Sequence, residues 1–74
     1  MKPDIAEGAI SELLAHIRAQ LEGATALAKA AEACAAAGSP DQAVTIAHDI
    51  EQPLYEANTL LNAVSLIRRI VAEA

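Results

Sequence analysis

The chain has no tryptophan and no phenylalanine, and Tyr55 is its only aromatic residue. Without bulky aromatic anchors, a chain of 74 residues has few means of building a large core of its own. Basic residues are scarce too: 5 Lys and Arg stand against 10 Asp and Glu, for a net charge of −5. Nucleic acid rewards clustered cations and stacked aromatics, so this balance argues against it as a partner. The adjacent pair Arg68-Arg69, close to the C-terminus, instead fits the negative end of a helix dipole. No apolar run reaches the ~18 residues of a membrane span, so no membrane partner is expected. Met1-Lys2-Pro3-Asp4 likewise lacks the apolar stretch of a signal peptide. Cys34 stands alone, which rules out a disulfide within the chain and suits a buried, reduced thiol. These features together suit a cytoplasmic protein.

What the chain does have is alanine, its commonest residue, and a hydrophobic content of 54%. Alanine favours helix strongly but adds little apolar area when buried. The pattern predicts a single helical domain over residues 1–74. It also leaves more apolar surface than one helical hairpin can hide. Oligomerisation is the expected remedy for a small scaffold with a thin core.

Gly38-Ser39-Pro40-Asp41 divides the chain into two helical arms, residues 4–37 and 41–73. Glycine can end a helix in the left-handed conformation, and Ser39 or Asp41 can cap the next one through a side-chain oxygen. Pro40 suits a first helical position, where no N–H is needed. In the first arm Ile10, Leu14, Ile17, Leu21, Ala24, Ala28, Ala31 and Ala35 recur at spacings of four and three. Leu13, Leu27 and Cys34 widen this seam into a stripe suited to a bundle. Gly23 costs about 1 kcal/mol relative to Ala within a helix. It is the expected point of bending, breakage or close approach in this arm.

In the second arm Ala43, Ala47, Ile50, Leu54, Ala57, Leu61 and Val64 continue the seam, flanked by Ile46, Leu60, Ile67 and Val71. Pro53 interrupts it. An internal proline removes one helical hydrogen bond and crowds the carbonyl four residues back, at ~3 kcal/mol or more. Either the arm kinks at Pro53, the favoured outcome, or it is two helices with Pro53 near the start of the second. The fold class is therefore all-α: a helical hairpin with a kinked second arm, dimerising into a four-helix bundle. The residues assigned to self-association are Leu14, Ile17, Leu21, Leu54, Leu61, Val64 and Ile67.

Three local likenesses bear on function. His48-Asp49-Ile50-Glu51-Gln52-Pro53-Leu54 resembles the phosphoacceptor box of sensor histidine kinases. That family carries the box on a proline-kinked helix of a dimeric four-helix bundle. The resemblance implies that His48 accepts phosphate, Asp49 assists as a base and Gln52 helps position the reaction. Separately, Ile17, Leu21, Ala24, Leu27 and Ala30 match Ile50, Leu54, Ala57, Leu60 and Ala63 at an offset of 33 residues. Residues 17–67 in this respect resemble tetratricopeptide-type helical repeats, whose period is near 34. The length, the Pro-containing turn and the apolar run Leu61-Asn62-Ala63-Val64 are also similar in shape to small helical hairpins of bacterial type III secretion.

Catalytic signatures are sparse. Ser11, Ser39 and Ser65 have no partnering His within a helical turn and no elbow motif. No Cys/His set has metal-ligand spacing, and no Gly-rich phosphate loop is present. No catalytic residue, cofactor or metal is therefore assigned outside the His48 alternative. The expectation is a non-enzymatic interaction module, an adaptor or co-chaperone, whose partners are itself and another helical protein.

Overall fold

A turn built from backbone hydrogen bonds sets the architecture. The computed structural model describes residues 2–73, which form three α-helices and, among the described residues, no strand. Helix α1 spans Pro3–Ala36, α2 spans Pro40–His48 and α3 spans Glu51–Glu73. Gly38 takes a positive φ of 84°. Its N–H donates to the Ala35 carbonyl at 3.1 Å, and the Ser39 N–H donates to the Cys34 carbonyl at 2.9 Å. This nested pair is the Schellman ending that a left-handed glycine permits. Pro40 then opens α2 at its first position. The expected side-chain cap does not form, because Ser39 makes no capping hydrogen bond. The turn is held by backbone alone.

The chain folds back once, and both α2 and α3 pack along α1. The second arm is interrupted just before Pro53. Asp49 and Ile50 form a tight turn, their N–H groups donating to Ile46 and Ala47 at 3.0 and 3.1 Å. Pro53 explains the position. In a continuous helix its nitrogen would face the Asp49 carbonyl with no hydrogen to donate and a ring in the way. Separating the helices there puts Pro53 in the first turn of α3, where a missing N–H costs nothing. The inward-facing residues Ile46, Ile50, Pro53 and Ala57 keep their spacing across the interruption. The arm is thus kinked without being redirected.

Gly23 behaves differently from expectation. Helix α1 runs through it unbroken for 34 residues. Gly23 is exposed, and a Cβ there would meet nothing within 4 Å. Its propensity cost is spread over a long helix already held by packing, so no bend results. Replacing Gly23 with Ala is therefore expected to stabilise the protein by about 1 kcal/mol. Gly38→Ala is expected to destabilise it by about 1 kcal/mol or more, because of the positive φ. Urea titrations of the two variants check both signs.

The core is thin. The buried residues are Ala6, Ala24, Ala43 and Ala57, and no larger side chain is fully buried among the described residues. The Cα atoms extend 56 × 15 × 11 Å with a radius of gyration of 16.9 Å. A compact domain of this length has a radius near ~11 Å. The hairpin is a two-helix rod whose length is that of α1, and most of its side chains keep one side in solvent.

Candidate functional site

The closed seam of the hairpin can be read from burial along each helix. In α1 the inward positions are Ala6, Ile10, Leu13, Ile17, Gln20 and Ala24, continuing through Leu27, Ala31 and Cys34. In the second arm they are Ala43, Ile46, Ile50, Pro53, Ala57 and Leu60, continuing through Val64, Ile67 and Val71. Both sets alternate spacings of three and four, the heptad pattern of helices at shallow crossing angles. Cys34 is half-buried in this seam rather than fully enclosed. Gln20 is the one polar side chain that α1 contributes to it.

This seam is rotated relative to the sequence expectation. Ile10, Ile17, Ala24 and Ala31 face inward as expected, but their companions are Leu13, Gln20, Leu27 and Cys34. Leu14, Leu21, Ala28 and Ala35 lie one residue further round the helix and are exposed. The second arm does the same: Ala47, Leu54 and Leu61 are exposed, while Ile46, Leu60 and Ile67 face inward. Leu14, Leu21, Leu54 and Leu61 keep 50%, 46%, 50% and 51% of their surface in solvent.

These outer rows converge on one broad side of the rod. In an antiparallel helix pair, equivalent heptad positions of the two helices fall on the same side. A groove at the open end of the hairpin fits this geometry. Glu7 and Arg68, each in the outer row of its own helix, both line it, with Pro3, Ala6, Ile10 and Val71. Stepping inward by sevens from that level gives Leu14 beside Leu61, then Leu21 beside Leu54, then Ala28 beside Ala47. The result is an uncharged apolar flank with one acid and one base at its open end. Arg68 and Arg69 do not serve the helix terminus, since the last turn of α3 has no basic residue.

The opposite flank is different in chemistry. Its corresponding positions include His16, Gly23, Gln42, Asp49 and Glu56, with Ala9, Ala30, Ala63 and Ile70 between them. Its large apolar side chains gather at the open end, where Ile70, Ile5 and Leu66 keep 39%, 58% and 46% of their surface in solvent. Among the described residues the contacts between ionisable side chains are exposed and local: Arg18 Nη1 to Glu22 Oε1 at 3.3 Å, and His16 Nε2, an ionic partner only when protonated, to Glu12 Oε2 at 3.8 Å. Each adds at most a few tenths of a kcal/mol.

The structure brings Leu14, Leu21, Leu54 and Leu61 together on the apolar flank, and puts Ile17, Val64 and Ile67 inside the seam. Glu7 and Arg68 were not among the expected interface residues. Their heptad positions, seven before Leu14 and seven after Leu61, are the signal that marks them. His48 is the last residue of α2 and is exposed, as is Asp49 beside it. The Gln52 amide donates to Glu56 Oε1 at 2.8 Å, one turn further along α3. No group of three or more metal-ligating side chains occurs among the described residues. None of the helices is long and apolar enough to cross a membrane. No family model, curated protein or solved structure matches the chain.

Proposed function

We propose that this chain is a non-enzymatic helical interaction module that self-associates through its apolar flank, two hairpins forming a four-helix bundle. The observation that carries this reading is the uncharged row of Leu14, Leu21, Leu54 and Leu61, each about half exposed. The hairpin buries only alanines completely, so a partner on this flank adds the apolar burial that the chain lacks by itself. The face offered to a partner runs along the rod, whose Cα atoms extend 56 Å by 15 Å. Residues along its outer edge, including Ser11, Arg18, Thr25, Asn58 and Ser65, are mostly polar. An apolar centre within a polar rim is the usual composition of such surfaces. As an adaptor, the bundle presents a further helical protein with its outer faces, where Tyr55 is also exposed.

Light scattering after size exclusion, across a hundredfold range of concentration, tests the reading. The expected mass is that of two chains. A folded monomer throughout the range would refute it. Phosphoryl transfer through the exposed His48 is the competing chemistry. An acid-labile adduct formed from phosphoramidate and lost in His48→Ala would assign that activity instead.

A further inference from the structure

Resting on the self-association just proposed, we infer that the two hairpins lie loop beside loop, with Glu7 of each copy paired to Arg68 of the other. A face-to-face dimer can be built about two axes. In the first, the two-fold axis runs along the rod, so both loops are at one end and α1 lies over the partner's α3. In the second, the axis crosses the rod, so each loop lies over the partner's open end and α1 lies over the partner's α1. Both arrangements can stack the leucines. Charge separates them.

In the loop-beside-loop dimer, residues level with each other within one hairpin also meet across the interface. Leu14 then sits over the partner's Leu61, Leu21 over the partner's Leu54, and the small pair Ala28 and Ala47 over each other's copies. Glu7 falls over the partner's Arg68 and Arg68 over the partner's Glu7. Along the polar edge, Arg18 meets the partner's Asn58 and Ser11 meets the partner's Ser65. No like charges face each other in this set.

The crossed arrangement fares worse. Setting leucines on leucines puts its axis midway between Leu14 and Leu21. Arg18, which keeps Glu22 of its own helix as a partner, then lies against the partner's Arg18, and Asp4 falls level with the partner's Glu32, twice by symmetry. Glu7 sits over the partner's Ala28 and Arg68 over the partner's Ala47, so neither meets an opposite charge on the other copy, although both line the same groove of their own hairpin. Like-charge juxtaposition of this kind disfavours wrong pairings, while complementary charge fixes register.

Two measurements test the inference. The first places one spin label per chain at Asp41→Cys in a Cys34→Ala background, beside the loop and off the flank, and reads the distance between copies by pulsed electron resonance. Loop beside loop predicts roughly 20–30 Å, the depth of two packed helical layers. A distance near the 56 Å length of the hairpin would overturn it. The second reverses the charges. Glu7→Lys is expected to weaken the dimer roughly tenfold at low salt, and Arg68→Glu added to it should restore the affinity. A double variant no tighter than the single one would also overturn the arrangement. If the parent chain itself is monomeric, the reading beneath fails. If it is dimeric with the long distance, only the orientation fails.

Discussion

Leu54→Asp combined with Leu61→Asp is expected to give a chain with the mass of one hairpin at every accessible concentration. Both side chains are about half exposed in the hairpin, so within one chain each carboxylate can reach water at little cost. In the dimer the same carboxylates would sit at the centre of a closed apolar interface, without a cation to pair with. Burying an unpaired charge is among the most costly changes available to an interface. The two-fold symmetry doubles it, since four carboxylates enter one bundle. Affinity should fall at least roughly a thousandfold, about 4 kcal/mol. The thermal midpoint should lose its dependence on concentration and drop below that of the parent, because dimerisation no longer stabilises the fold. A double variant that keeps the parent's mass and its concentration-dependent melting would remove this flank from the interface.

The contrast between Leu61 and Val64 shows how far the sequence could be read. Turn chemistry was legible because it is local: Gly38 permits the left-handed ending, Pro40 starts a helix, and Pro53 disturbs the second arm at the point where α2 and α3 separate. The all-α hairpin follows from those three residues and the heptad spacing. The phase of the seam was not legible. Leu13 and Leu14 are both apolar, as are Leu60 and Leu61, so the apolar stripe of each helix is wider than one neighbour can cover. Spacing alone cannot say which edge of such a stripe closes against the other arm. Packing decides it: the fold turns Leu13, Leu27, Leu60 and Ile67 inward between the close-approaching alanines and leaves Leu14, Leu21, Leu54 and Leu61 outside. The surplus width of the stripe is what supports the proposed self-association. Gly23 misled for a related reason, since its propensity cost is fixed locally while the integrity of α1 is set by packing along the whole rod. Arg68 was read as serving the helix dipole and neither it nor Glu7 as part of an interface, because charge at a single heptad position acquires meaning only once the antiparallel level of the arms is known.

Val64→Asp tests the phase directly, three residues from Leu61 and with the opposite expectation. Val64 faces α1 within the seam and is half-buried there, in a stretch of α3 that also directs Leu60 and Ile67 inward. A carboxylate at this position loses hydration on the side that packs against α1. The substitution also removes the isopropyl group that holds them together. A domain of this length carries roughly 4–11 kcal/mol of total stability. The cost of the unpaired charge and the lost packing, about 3 kcal/mol or more, takes most of the lower end of that range, where a hairpin with an alanine core belongs. Val64→Asp is therefore expected to lose cooperative melting and most of its helical circular dichroism, whatever the concentration. Val64→Ala, which shortens the side chain without adding charge, should remain folded with a loss of about 1–2 kcal/mol. The ordering that supports the seam is Val64→Asp unfolded, Val64→Ala weakened, and the Leu54/Leu61 double variant folded but monomeric. If Val64→Asp instead stays helical and merely monomeric, Val64 belongs to the outer flank, and the hairpin must close on the Leu14–Leu61 side.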